Sequence, residues 1–134
     1  MSEQTVFPAL RYTDASAAID WLGRAFGFER HVVYEDGGVV HHAELKVPGG
    51  MIMLGSVQSG DESDYQGTAP PPGSGATYVV LEDTDAHYAR AKDAGAEIVM
   101  DLHDTDYGSR DYTARDPEGN LWSFGSYQPW ATQP

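Results

Sequence analysis

The sequence predicts an α+β chain made of two copies of a β-α-β-β-β unit. Three observations carry that prediction. Val47-Pro48-Gly49-Gly50 precedes an apolar run ending Leu54-Gly55-Ser56, and Asp116-Pro117-Glu118-Gly119 precedes another ending Phe124-Gly125-Ser126. The two prolines stand 69 residues apart and the two Gly-Ser pairs 70. Helical periodicity stops at Gly27 in one half and at Gly95 in the other, 68 residues on. A spacing shared by turns, strand ends and helix ends marks an internal repeat. One such unit alone leaves a sheet edge and a sheet face uncovered, so two are expected to bury these against each other around a trough.

The elements follow in order. Thr5 to Tyr12 reads as a strand, and Pro8 assigns it to an edge because proline has no N–H for a ladder. Asp14 is placed to cap a helix over Ala15–Phe26, whose Ala18, Leu22 and Phe26 recur at helical spacing. Gly27 supplies the left-handed stop. Strands are then expected at about Glu29–Tyr34, Val39–Val47 and Met51–Ser56. In the second half, Ala76–Leu81 reads as a strand, and Asp83 or Asp85 caps a helix that runs to about Ala94. Further strands are expected at about Glu97–Leu102, Arg110–Arg115 and Leu121–Ser126. Residues 58–75, with Pro70-Pro71-Pro72 among Gly, Ser and Asp, have the composition of a linker. The expected organisation is one domain over residues 1–134, with modules at about 5–57 and 76–128. Trp130 is the residue expected to anchor the tail.

Bulk composition narrows the functions. With 134 residues, 40% hydrophobic, the chain can bury one core. It has no cysteine, which removes disulfides and thiolate chemistry. No apolar run approaches the ~20 residues of a membrane span. Met1-Ser2-Glu3-Gln4 lacks the basic start of a secretory signal, so a cytoplasmic location is expected. The formal net charge of −13 repels phosphate backbones and anionic membranes, which argues against both as partners. The same field attracts cationic small molecules, or serves solubility alone.

The turn Asp116-Pro117-Glu118-Gly119-Asn120-Leu121-Trp122 resembles the turn before the last strand of the glyoxalase / bleomycin resistance / extradiol dioxygenase (vicinal oxygen chelate) superfamily. Leu10-Arg11-Tyr12-Thr13-Asp14, Phe26-Gly27-Phe28 and Ala91 to Glu97 resemble the same family's helix entries and exits, so the likeness spans Thr5 to Gln128. It implies a glyoxalase-like fold, with a curved sheet around a cavity, and chains that pair as homodimers. It does not imply one activity, since members range from metal-dependent lyases, isomerases and dioxygenases to metal-free proteins that sequester antibiotics such as bleomycin.

In the metal-using members one His or Glu comes from each of the first, fourth, fifth and eighth strands. Carried over singly, those positions fall on Phe7, Met53, Thr77 and Ser123. None is an ordinary ligand, so no metal and no other cofactor is expected.

Other polar groups are weighed from the residues. His41 and His42 are adjacent and point to opposite sides of a strand. His42 and Glu44 share a side. A two-residue turn at Pro48-Gly49 sets Glu44 opposite Met53 and makes that side the cavity side, whereas a three-residue turn swaps the sides. The pair is then an acid/base couple, a polar patch in the trough, or a solvated strand face. Arg110 and Tyr112 also share a side and either present a cation and a phenol to a ligand or act structurally. Trp122 and Phe124 are assigned to the core in preference to a ligand platform. His31, His87 and His103 are read as exposed polar residues.

The expected ligand-binding set is Phe7, Arg11, His42, Glu44, Met51, Met53, Thr77, Arg110, Tyr112 and Ser123. The favoured function is metal-independent binding of a cationic or aromatic small molecule by a homodimer. The alternative is a lyase or isomerase using His42 and Glu44 or a rearranged metal site.

Overall fold

The computed structural model describes residues 4–57 and 71–131. The first half runs β1 (Ala9–Tyr12), α1 (Ala15–Phe26), β2 (Glu29–Asp36), β3 (Val39–Val47) and β4 (Gly50–Ser56). The second repeats the order with β5 (Ala76–Val80), α2 (Thr84–Asp93), β6 (Glu97–Asp104), β7 (Arg110–Arg115) and β8 (Leu121–Gly125). Each half forms its own four-stranded sheet, ordered β1-β4-β3-β2 and β5-β8-β7-β6. The strand flanking each sheet's inner member, β1 on β4 and β5 on β8, is parallel. The α+β class and the doubled unit are as the sequence predicts. Most of the expected linker, residues 58–70, lies outside the described residues. No helix among the described residues is long and apolar enough to cross a membrane.

Helix α1 has the bounds its periodicity predicts. The Asp14 carboxylate accepts from the Ala17 N–H at 3.1 Å, and Gly27 leaves the helix with φ 77°. Ala15, Ala18, Ile19, Leu22, Ala25 and Phe26 form its buried stripe. Of the two cap candidates for α2, Asp83 does the capping, accepting from Ala86 N–H at 3.0 Å. Helix α2 buries only Thr84 and Ala91. It is held instead by polar contact: the Arg90 guanidinium donates to the Gly23 and Arg24 carbonyls at 2.9 and 3.0 Å. The Gly23 carbonyl also takes the Gly27 N–H at 3.1 Å, so Arg90 adds a second bond there and reaches the neighbouring Arg24 carbonyl in the last turn of α1.

The two halves share one core. Phe26 and Phe28 of the first meet Trp122 and Phe124 of the second, with ring centroids 4.7 Å apart for Phe26 and Phe124 and 5.4 Å for Phe28 and Trp122. The helix-facing side of each sheet therefore looks into common apolar packing, and the other side of each looks outward. Trp122 and Phe124 are core residues, both 0% exposed. Trp130, 92% exposed, does not anchor the tail by burial.

His87 corrects an expectation. It is not a surface residue but half-buried between Phe26 and Phe124, its ring 4.2 Å from that of Phe124. The Phe26 carbonyl can only accept, so Nε2–H donates to it at 3.0 Å, and Nδ1 takes the Tyr112 hydroxyl proton at 2.6 Å. Because α2 has so few apolar residues, a histidine occupies its inward face, and a polar helix hides that role in the sequence.

A second inter-half contact is polar. The Asp116 carboxylate, in a residue 3% exposed, accepts from the Tyr12 hydroxyl at 2.7 Å and from Trp122 Nε1 at 3.0 Å. It also takes the Glu118 N–H, the Asn120 N–H and Asn120 Nδ2 at 3.0, 3.0 and 3.1 Å. Glu118 then caps the start of α1, accepting from Thr13 N–H and Asp14 N–H at 2.6 and 2.8 Å.

Asp116→Ala strands buried donors, each costing about 1–3 kcal/mol when unpaired, so urea unfolding should show a loss of about 3 kcal/mol or more. Tyr12→Phe removes one bond and should cost about 1–2 kcal/mol. Burial depresses the His87 pKa below its usual 6.5. The neutral ring's contribution to stability is therefore complete above pH 6.5 and is lost as pH falls through the depressed folded value. Unfolding free energy should drop more between pH 7 and 5 in the wild type than in His87→Gln. Equal slopes would contradict the buried neutral ring.

Candidate functional site

The β3–β4 hairpin decides which side of the first sheet is open. Gly49 has φ 79°, a left-handed value suited to glycine, and Val47 pairs with Gly50 across a two-residue turn. Glu44 consequently sits opposite Met53 and Lys46 opposite Met51. Ala43, Leu45, Ile52 and Leu54 fill the core side. The open side presents His42, Glu44, Met51 and Met53. Tyr34 joins them from β2, paired with His42 and stacked on its ring at 6.4 Å and 23°. His42 Nε2 and Glu44 Oε2 lie 2.9 Å apart, with side chains 42% and 31% exposed. The pair is thus half-hydrated, hydrogen-bonded and on the open side. Arg11 shares that side, pairing with Gly55, where the missing Cβ leaves room for its guanidinium.

The second sheet repeats the arrangement. Tyr112, Ala114, Trp122 and Phe124 point inward and are each 0% exposed. The intervening Asp111, Thr113 and Ser123 therefore face outward, with Thr113 and Ser123 hydroxyls 2.8 Å apart. Tyr78, opposite Ser123, reaches over to donate its hydroxyl to Asp111 Oδ1 at 3.1 Å. Ser109, 3% exposed, donates to the same oxygen.

A groove of about 1200 Å³ runs along β5 between these sheets. Phe7, Met51, Thr77, Tyr78, Gln128 and Trp130 are among its lining residues, and His87 also borders it. Thr77 pairs with Trp122 and so lies on the core side of β5, reaching the groove at the sheet edge.

Of the ten expected site residues, His42, Glu44, Met51, Met53 and Arg11 lie together on the first open face. Ser123 lies on the second, while Phe7 and Thr77 line the groove. Arg110 and Tyr112 must be corrected. They share a side of β7, but it is the helix side. Tyr112 is sealed in the core against His87, and burial pushes its hydroxyl pKa up. Arg110 is tied to Asp85 at 2.6 Å and Asp104 at 3.0 Å on the surface. Assigning Trp122 and Phe124 to the core implies the same for Tyr112, because antiparallel partners share a side; Tyr112 pairs with Phe124. Tyr34, Tyr78 and Asp111 were not singled out in the sequence. Once Ser123 is placed outward, pairing alone brings Tyr78 beside it.

These residues do not suit a metal centre. Of the residues expected at ligand positions, Phe7, Met53 and Ser123 carry a phenyl ring, a thioether and a hydroxyl, Thr77 faces the core and leaves Tyr78 on the open side of β5, and among the described residues no three of His, Cys, Asp or Glu converge. Zinc, nickel, manganese or iron would need three or four donors at about 2.0–2.2 Å.

Residues 5–124 match the Glyoxalase/Bleomycin resistance protein/Dioxygenase superfamily, and the chain belongs to that family. It is similar to TioX from Micromonospora sp. ML1, at 35% identity and TM-score 0.78 over 96% of this chain and 100% of that one. It is also 34% identical to the uncharacterized protein Mb0911c of Mycobacterium bovis, over 92% of this chain and 83% of that protein. A bleomycin resistance determinant encoded on the transposon Tn5 shares the fold, with TM-score 0.67 at 16% identity over 93% of this chain and 98% of that one.

Proposed function

We propose that this chain is a metal-independent small-molecule-binding protein of the glyoxalase/bleomycin resistance type, which sequesters a cationic or aromatic compound, antibiotics included. One observation carries the reading: the positions onto which the resemblance carries metal ligands hold Phe7, Met53 and Ser123, and on β5, where Thr77 turns to the core, the open side offers only Tyr78. The surrounding chemistry supports it. The open faces offer thioethers, aromatic rings and carboxylates, which is a lining for an amphipathic organic ligand rather than for an ion. The net charge of −13 draws cations toward it. The Tn5 protein is a bleomycin resistance determinant by name; at 16% identity its likeness speaks for the scaffold alone.

A homodimer belongs to this reading. Each chain carries two open sheet faces that point away from the shared core, and a second copy laid against them encloses two cavities. Sedimentation as a monomer at ligand-saturating concentration would remove the dimer.

The test is metal content of the purified protein followed by titration with Ni, Zn, Mn and Fe(II). No ion should bind stoichiometrically, and none should raise the melting temperature. One ion bound tightly per chain would overturn metal independence.

The 2.9 Å His42–Glu44 pair favours a second reading, a lyase or isomerase in which Glu44 accepts the Nε2–H of His42 and so leaves Nδ1 to act as the base. Glu44→Gln should then lower kcat by about 10²–10⁴ while leaving the fold intact. Undiminished turnover of a true substrate by that variant would end the assignment of Glu44 to the chemistry.

A further inference from the structure

We infer that the open face of the second sheet carries a subsite for an organic ammonium ion, with the Tyr78 ring as floor, the Tyr127 ring as wall and the Asp111 carboxylate as counter-charge. The inference rests on the reading that this face receives a small molecule, and it specifies the chemical group the face selects.

Tyr78 starts on β5 opposite Ser123, yet its hydroxyl meets Asp111 on β7, two strands away. The ring therefore lies flat across β8 instead of standing off the sheet. Gly125 permits the crossing. A side chain there would overlap the Asp111 carboxylate and lie 2.5 Å from the Tyr78 hydroxyl. The position is held from below and from the side: Ser109 donates to the same Asp111 oxygen, and the Tyr127 N–H donates to the Tyr78 hydroxyl at 3.1 Å. Oδ1 of Asp111 is thus used twice, whereas Oδ2 makes no hydrogen bond among the described residues.

The tyrosine rings form a corner. Tyr127 stands at 75° to Tyr78 with centroids 6.5 Å apart, and Tyr107 abuts Tyr127 at 84° and 5.4 Å. Tyr78 remains 38% exposed and borders the groove along β5, so its free ring face is open to a ligand.

Physical chemistry selects the guest. A cation within about 6 Å of an aromatic centroid is drawn to the negative face of the ring. Tyr78 donates its proton toward a carboxylate, which leaves its ring richer in electrons. Burial raises the pKa of this hydroxyl, so at neutral pH it stays the donor. Calcium and magnesium take six or more oxygens and zinc three or four donors, and one free carboxylate oxygen supplies neither set. An alkylated ammonium holds its hydration weakly, matches the flat ring, and needs a single counter-charge. Its neutral isostere keeps only the apolar contact.

The probe is phenyltrimethylammonium, with tert-butylbenzene as its uncharged isostere, titrated into the full chain and followed by NMR line shifts. The cation should bind at least tenfold more tightly. Tyr78→Leu and Asp111→Asn, each checked for an unchanged unfolding midpoint, should each weaken it by tenfold or more. Tyr78→Phe, which keeps the floor but not the hydroxyl, should fall between. Equal binding of the isostere, or a folded Tyr78→Leu that binds as well as wild type, overturns the subsite. A larger aromatic compound held equally by wild type and Tyr78→Leu also overturns it, while leaving the sequestration reading in place. Phenyltrimethylammonium bound through Tyr78, with every larger compound refused, supports the subsite and overturns sequestration.

Discussion

The Asp116 carboxylate is the interaction on which the arrangement of this molecule depends. Burying a charge is costly unless donors replace the water it loses. Here the replacements come from the turn's own N–H groups, from Trp122 and from Tyr12 of the other half. Burial and the adjacent Asp116 carboxylate push the Tyr12 hydroxyl pKa up, so it remains a donor. Because Tyr12 ends β1 and Trp122 is the second residue of β8, one side chain ties the first half's edge strand to the last strand of the second. Glu118, two residues on, fixes the start of α1. With those points joined, both sheets must turn their helix-facing sides toward one core. The outward faces, where the candidate site lies, follow from that constraint.

Duplication of the backbone did not duplicate the chemistry. Gly55 and Gly125 occupy matching places in the two repeats, and each clears space on an open face. Over Gly55 lies the Arg11 guanidinium, whereas Asp111 and the Tyr78 hydroxyl lie over Gly125. One scaffold thus offers a cation with a His-Glu pair on one face and a carboxylate with tyrosines on the other. Such divergence suits an asymmetric organic ligand better than a symmetric ion cage, and it agrees with Phe7, Met53, Tyr78 and Ser123 standing where a His or Glu would be needed.

Much of this was legible in the sequence because it is local. Helix α1, its Asp14 cap and its Gly27 stop depend on neighbours within one turn. The β3–β4 register needed a single unknown, the length of the Pro48-Gly49 turn, and two residues put Glu44 opposite Met53. What stayed hidden depends on distant partners. His87 looks like a surface residue on a polar helix until Phe26 and Phe124 close around it. Arg110 and Tyr112 look like a ligand pair until α2 is known to cover their side of β7. Strand β1 is shorter than its sequence suggests, starting at Ala9 rather than Thr5. Before it, the Gln4 side-chain amide takes over the ladder, pairing with the N–H and carbonyl of Met51 at 2.6 and 2.9 Å.

On the proposed reading, the open sheet faces bind an organic molecule without a metal ion. Its most direct test is amide chemical-shift mapping with an aromatic or cationic compound that the protein retains, titrated in the presence of EDTA. Binding should be undiminished, with the largest shifts at Tyr34, His42, Glu44 and Met53 of the first sheet and Tyr78, Asp111 and Ser123 of the second. Binding abolished by the chelator, or shifts confined to the outer surfaces of α1 and α2, would contradict it.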